Sequence, residues 1–216
     1  VVNYLLVNQT SVQDDTLDFM DMTFNYSINL FSNIQDAVDA SIPGAIIVVN
    51  PGTYTENLIV NQDNIKFVGS ESAIIQGEVD IQADDILFEQ FEFAQTARIK
   101  NTVQISNFEF RLNTIENSTL TAFPLISLSG VTDVTISSNT FTNLSTDAIW
   151  IENFLGGNIS IEKNMISNVE DAITVLAETG YADETEIQIV RNDIDGANVA
   201  INLNLAYGEN QKAINA

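Results

Sequence analysis

The chain has 216 residues, 45% of them hydrophobic, and a formal net charge of −23 from 30 acidic and 7 basic residues, with no Cys and no His. Thiolate and imidazole metal ligands and Ser-His-Asp or Cys-His catalysis are therefore excluded, and so few cations exclude a nucleic-acid partner. The hydrophobic fraction predicts a folded domain, and direct membrane insertion is not expected because no apolar run approaches about 20 residues.

Residues 1–30 are predicted to be a lead-in or linker segment with one or two strands, and residues 31–216 a single domain. Because the chain begins at Val1 without Met, we expect it to be a piece of a longer protein.

A short amphipathic helix is predicted at about 33–41. Ser32 and Gln35 match the S-x-x-Q capping box, and Ile34, Ala37 and Val38 share one helical face. We expect this helix to cover the first turn of the repetitive region that follows, because the core of that turn would otherwise be exposed.

A ten-residue block with apolar first and third positions recurs at spacings of 21, 22, 26, 25 and 28 residues. These apolar pairs are Ile65/Phe67, Ile86/Phe88, Phe108/Phe110, Val134/Ile136, Ile159/Ile161 and Ile187/Ile189. A second alternating segment follows each late copy, starting at Leu125, Ala148, Ala172 and Ala200. Alternation predicts strands with one buried face, and repeats of this length predict an all-β solenoid of six or seven turns.

Asn occupies the sixth position of the last four copies, at Asn113, Asn139, Asn164 and Asn192. Asn tolerates left-handed backbone dihedrals, and stacked amides can bond to one another in neighbouring turns. The column therefore predicts a structural Asn ladder at one corner of the solenoid.

The region up to the start of the first repeat, residues 34–69, carries a recognisable pattern. The segments Ile34-Gln-Asp-Ala-Val-Asp-Ala, Gly52-Thr-Tyr-Thr-Glu and Asn64-Ile-Lys-Phe-Val-Gly closely resemble the opening of parallel β-helix proteins of the pectin-lyase-like superfamily. The resemblance covers about residues 31–205 and implies a right-handed single-stranded parallel β-helix with an N-terminal capping helix. It implies no particular function, because the superfamily includes polysaccharide-active enzymes and non-catalytic, adhesin-like surface proteins.

An esterase site of the pectin methylesterase type would be implied by the motifs Q-A-V-A, Q-D-T-L, D-F-I-F-G and L-G-R-P-W, which are not in place. The segment 13–17, Gln-Asp-Asp-Thr-Leu, echoes one motif but has an extra Asp and precedes the first turn.

A polysaccharide lyase needs a base near positive charge, and only Arg98 and Lys100 lie close together, in the loop-like stretch Thr96–Asn101. Glu89 and Glu109 are expected on neighbouring turns beside Arg111, which is typical of a surface ion pair. No catalytic residue is assigned, and an enzyme is the less favoured interpretation.

Trp150, the single Trp, is predicted to point away from the core in the second alternating segment. An indole among polar neighbours can stack on a sugar ring, which makes Trp150 a candidate carbohydrate-binding residue. The alternative is that a long loop, at Asn153–Gly157 or Ala177–Asp183, covers it.

Asp147 and Asp171 occupy the same position of successive repeats, so their carboxylates are expected about 5 Å apart. A calcium ion, protonation of one carboxyl group or divergent side chains would relieve their repulsion. The pair is thus a candidate metal site, with Glu152 and Glu170 as possible further ligands and calcium as the only cofactor considered.

Five Asn-x-Ser/Thr sequons are candidate glycosylation sites, at Asn8, Asn25, Asn117, Asn143 and Asn158. The favoured function is a non-catalytic module of an extracellular or cell-surface protein, a rigid scaffold whose partners are glycans or neighbouring modules. The alternatives are a polysaccharide lyase or esterase and a subunit that polymerises end to end.

Overall fold

The computed structural model describes residues 3–11, 16–19, 22–25, 28–94, 96–116, 118–119, 122–177 and 185–205. Within these ranges the chain is a parallel β-helix with one short helix and one two-stranded antiparallel sheet near its start, which confirms the predicted all-β solenoid. No helix in the described ranges has the length and apolarity needed to cross a membrane.

The elements are, in chain order, β1 (Tyr4–Val7), β2 (Thr16–Phe19), β3 (Met22–Asn25), β4 (Leu30–Phe31), α1 (Ile34–Ala40), β5 (Ile46–Val49), β6 (Gly52–Tyr54), β7 (Leu58–Val60), β8 (Lys66–Gly69), β9 (Ala73–Ile75), β10 (Glu78–Ile81), β11 (Ile86–Glu89), β12 (Glu92–Ala94), β13 (Arg98–Asn101), β14 (Ile105–Arg111), β15 (Thr114–Glu116), β16 (Ile126–Ser129), β17 (Val131–Ser137), β18 (Thr140–Thr142), β19 (Ile149–Glu152), β20 (Gly156–Glu162), β21 (Met165–Ala177), β22 (Glu186–Val190) and β23 (Asp193–Leu205).

Three parallel walls surround one core. The first wall has the strand order β22-β20-β17-β14-β11-β8-β5-β1-β4. The second wall contains β6, β9, β12, β15 and β18, and the third contains β7, β10, β13, β16 and β19. The long strand β21 joins these two walls around a corner, because its start pairs with β18 and its end with β19, while β23 pairs with β21 along both.

Equivalent residues of successive turns lie directly over one another. Ile136, Ile161 and Ile189 are register partners on three neighbouring strands of the first wall, and each is almost fully buried. Lower in the same core, the rings of Phe67 and Phe88 stack with centroids 4.3 Å apart. Burial of each such side chain contributes roughly 1.5–3 kcal/mol, so the repeated apolar positions supply most of the driving force for folding.

The corner between the first and second walls needs a left-handed residue in every late turn. These residues are the ones directly before the ladder: Leu112, Ser138, Lys163 and Arg191, all with φ of 56–57°. The prediction that the ladder Asn itself adopts this conformation is wrong. The Asn side chain points inward and bonds to backbone groups, so the preceding residue makes the turn.

Helix α1 lies where the sequence predicts a helix, but its N-cap is Asn33 rather than Ser32. The Asn33 side chain accepts a hydrogen bond from the Asp36 amide at 2.8 Å. The capping-box interpretation of Gln35 is therefore wrong. Gln35 instead bonds to the free edge of β7, where its Oε1 accepts from the Ile59 amide at 2.8 Å and its Nε2 donates to the Ile59 carbonyl at 3.3 Å.

The predicted boundary at residue 31 does not coincide with the start of the β-helix. Strand β1 lies inside the first wall and pairs with both β4 and β5, although the sequence assigns residues 1–30 to a lead-in segment. Its apolar residues Leu5 and Val7 belong to the main core. A strand that supplies core residues is part of the domain rather than a linker.

Candidate functional site

The four Asn residues of the repeats form a continuous ladder in a buried corner. The side-chain oxygens of Asn139, Asn164 and Asn192 each accept the backbone amide of the preceding ladder Asn, with N–O distances of 2.9–3.0 Å. The oxygen of the first member, Asn113, accepts the amide of Phe91 at 2.9 Å. Each side-chain nitrogen donates to a carbonyl of the first wall. With its side-chain groups used in this way, the ladder fixes the corner and has no free group for chemistry.

The Gly-x-Tyr-x-Glu stretch of the opening pattern also has a structural role. Glu56 accepts the amides of Ile34 and Gln35 at 2.7 and 3.0 Å, so its carboxylate holds the first turn of α1. The Tyr54 hydroxyl donates to the Asn50 carbonyl, and burial raises the pKa of Tyr54 to about 12. These residues attach the capping helix to the first complete turn of the β-helix.

The outer face of the third wall presents one column of side chains, one from each turn. In order along the axis it contains Ile59, Asp80, Lys100, Ser127, Trp150, Thr174 and Asn202. Trp150 is half-buried, and its Nε1–H donates to Glu152 Oε2 at 3.2 Å. The indole is thus held on the outer face, beside the partly exposed Ser127 of the preceding turn.

In the loop at 153–157, Phe154 enters the core and the Leu155 amide donates to the Val131 carbonyl of the first wall. Beyond Ala177, the other stretch that the sequence suggested as a cover lies outside the described residues. Next to Trp150, Thr174 is fully buried, and its hydroxyl finds no hydrogen-bond partner among the residues described.

Two cationic side chains lie on the same outer face, two turns before Trp150. Arg98 and Lys100 lie on strand β13, not in a loop as their sequence context indicates. Both pair with Glu78, at 3.6 Å from Arg98 Nη1 and 2.7 Å from Lys100 Nζ. Asp80 is the register partner of Lys100, so the two positive charges are balanced locally by two carboxylates. The Arg98 guanidinium also lies 4.3 Å from the ring centroid of Phe123.

Asp147 and Asp171 lie on neighbouring turns, at the corner that precedes the third wall. Asp147 Oδ1 accepts the amide of Asp171 at 3.0 Å, and Asp171 Oδ1 accepts the amide of Val199 at 3.1 Å. Burial raises the pKa of Asp147, and the negative charges of Asp171 and Glu170 raise it further. The hydrogen bond from the Asp171 amide lowers the same pKa and offsets part of the rise.

Each of these carboxylates therefore serves to bond the next turn. Among the described residues, no three Asp or Glu side chains come together in a group that could hold a metal ion. Glu152 and Glu170 thus do not complete the calcium site that the sequence suggested at Asp147 and Asp171.

A groove of 320 Å³ lies on the outer face of the first wall, with Lys66, Leu87 and Glu109 in its lining. Arg111 donates from Nε to Glu89 Oε2 at 2.9 Å, and its Nη1 lies 3.7 Å from a Glu109 oxygen. The two carboxylates are thus engaged by one guanidinium on a partly exposed surface, the ion-pair arrangement expected from the sequence.

A larger cavity of 550 Å³ opens at the corner just before the Asn ladder begins. Phe91 and Leu112 form its apolar lining, and Glu71, Glu92 and Glu116 form the acidic part. These three carboxylates do not form a metal-binding group.

The sequons differ in exposure. Asn143 and Asn158 are exposed, Asn8 and Asn25 are partly exposed, and Asn117 lies outside the described residues. Asn143 Oδ1 accepts a hydrogen bond from Asn168 at 3.2 Å.

No protein-family model and no curated protein matches this chain. A similar solved structure is that of a doubly substituted pectate lyase from Xanthomonas campestris, with 12% sequence identity and a TM-score of 0.45. The match covers 83% of this chain and 78% of that chain. At this identity and TM-score the similarity carries no information about the chemistry of this chain.

Proposed function

We propose that this domain is a non-catalytic β-helix module of an extracellular or cell-surface protein, a rigid scaffold that contacts glycans through the outer face of its third wall. The position of Trp150 on that face is the observation that carries the proposal. An indole offers a flat apolar area, its N–H is oriented by Glu152, and the partly exposed Ser127 beside it is polar.

The scaffold role is supported by the way each turn is bonded to the next. Parallel strands link the turns on all sides, and the Asn ladder adds buried side-chain hydrogen bonds at one corner. Such an arrangement holds outward side chains in fixed register about 4.8 Å apart, which suits a repetitive ligand.

The net charge favours a neutral glycan over an acidic one. A chain with a formal charge of −23 repels a polyanion, and the pairs of Arg98 and Lys100 with Glu78 leave no excess positive charge on this face. The same ion pairs argue against catalysis on this face. A Lys or Arg that removes a proton from a uronate must not already be paired with a carboxylate of the protein.

The fluorescence of Trp150 tests glycan contact directly, since the chain has one Trp. The protein is titrated with neutral polysaccharides (xylan, mannan and mixed-linkage glucan) and with polygalacturonate and alginate. We expect a shift or quench of emission with a neutral glycan. The role would be refuted if no neutral glycan changed the Trp150 emission and none retarded the protein in affinity electrophoresis.

Two variants make the test specific to the indole. Trp150→Ala is expected to lose retardation in affinity gels that contain the neutral glycan. Leu155→Ala removes an exposed apolar side chain just beyond the same strand and is the matched control, expected to bind like the unmodified protein.

The enzyme alternative is tested on the same samples. The protein is incubated with pectin, polygalacturonate and alginate, with and without calcium, and the products are measured by absorbance of unsaturated uronates and by released methanol. Product above the level of a heat-denatured control would overturn the non-catalytic assignment.

A further inference from the structure

Phe123 is an aromatic residue that is both exposed and held in place. Its side chain is 52% exposed, yet one face of the ring lies over the Arg98 guanidinium at 4.3 Å. Its backbone carbonyl accepts a hydrogen bond from the Thr146 hydroxyl of the next turn at 2.7 Å. Pro124 follows and restricts the backbone at that point.

The guanidinium below the ring is itself fixed. The Arg98 side chain is 17% exposed, and its Nη1 lies 3.6 Å from Glu78. Its Nε is buried and has no hydrogen-bond partner within the described part of the chain. A cation held on one side orients the ring by a cation–π contact and leaves the other side open. An aromatic surface ordered in advance loses little conformational entropy when a ligand binds.

Phe123 and Trp150 lie on the same outer face. Lys100, Ser127 and Trp150 are successive register partners, and Arg98 precedes Lys100 by two residues on the same side of its strand. With strands about 4.8 Å apart and a rise of about 3.3 Å per residue, the Cα atoms of Arg98 and Trp150 are separated by roughly 12 Å. Because this backbone separation exceeds the length of one sugar unit, we expect that a ligand needs more than one unit to contact both rings.

We propose that Phe123 is a second aromatic platform for the glycan, so that the third wall selects neutral oligosaccharides long enough to reach both rings. This inference rests on the proposed glycan contact at Trp150 and adds chain-length selectivity to it. Arg98 acts as a positioning residue, because it touches the ring of Phe123 and not the sugar.

The test is a length series of oligosaccharides prepared from whichever neutral polysaccharide changes Trp150 emission. For the unmodified protein we expect affinity to rise with length and then to level off once both rings are occupied. Phe123→Ala is expected to lose about tenfold in affinity for the long members and nothing for the shortest ones. Phe123→Tyr keeps the ring and is expected to retain the length dependence.

Leu112→Ala is the matched control, since it removes a side chain of similar exposure, 53%, from a different face. Equal affinities of Phe123→Ala and the unmodified protein at every length would overturn the second platform and leave the Trp150 contact standing. Absence of any emission change in the unmodified protein would overturn both. Far-ultraviolet circular dichroism checks that each variant is folded.

Discussion

Replacing Asn139 by Ala removes one amide from the middle of the buried ladder. The side chain is 1% exposed, accepts the Asn113 amide at 2.9 Å and donates to the Phe110 carbonyl at 2.9 Å and to Asn164 Oδ1 at 3.0 Å. Ala leaves the Asn113 N–H and the Phe110 carbonyl buried without these partners. At about 1–3 kcal/mol for each of these two unsatisfied groups, the free energy of unfolding should fall by roughly 2–6 kcal/mol.

That loss is large against the roughly 5–15 kcal/mol that stabilises an ordinary domain. Urea unfolding followed by circular dichroism measures it, and Asn158→Ala is the control. Asn158 is also on a first-wall strand, but its side chain is exposed, so its replacement should change stability by less than about 0.5 kcal/mol. A loss below about 1 kcal/mol for Asn139→Ala, or equal losses for the two variants, would refute the assignment of the ladder as a main support of the corner.

Three further predictions concern stability. Glu56→Ala removes two charge-assisted hydrogen bonds at the start of α1 and should cost about 2 kcal/mol in urea unfolding, and an unchanged midpoint would contradict that role. Thr174→Val removes a buried hydroxyl that has no hydrogen-bond partner among the described residues, at nearly constant shape. It should raise stability by about 1 kcal/mol, whereas a decrease would show that the hydroxyl is satisfied. Asp147→Asn keeps the oxygen that accepts the Asp171 amide and removes the charge. The pKa of Asp147 is raised on folding, so the folded protein favours the protonated carboxyl group. This preference stabilises the fold fully below the ordinary pKa, and the stabilisation is lost as pH rises through the raised pKa. The variant should therefore be more stable than the unmodified protein at pH 7, by less than about 1 kcal/mol at this partly exposed site. The gain should vanish at about pH 3, where the carboxyl group of Asp147 is protonated. A gain independent of pH would show that the charge of Asp147 is not its cause.

The walls were predictable where a strand carries two inward residues, as Val134 and Ile136 do in β17. The second wall was not predicted as strands, because a segment such as Thr140–Thr142 has one buried residue, Phe141, and one residue gives no alternation. The sequence predicts a left-handed residue and an amide ladder at this corner, but it assigns both to the same Asn. In the structure the left-handed residue directly precedes the ladder Asn.

The site was less predictable than the fold. The register of Trp150 follows from alternation, but Phe123 lies in a Pro-containing connection without periodicity, and its contact with Arg98 joins residues of different turns. The stretch Arg98–Asn101 resembles a loop by composition and forms a strand because it pairs with β10 and β16. Such contacts depend on loop lengths, which vary from turn to turn.

The stacking of turns also determines how the domain would resist mechanical force. A pull along the coil axis from the two ends loads the bonds between successive turns in series, so the outermost turn peels away before its neighbour. Each released turn of 21 to 28 residues lengthens the extended chain by on the order of 70–100 Å. Tethered between a surface and a moving load, this domain would lengthen in steps of that size while the turns still wound remain intact.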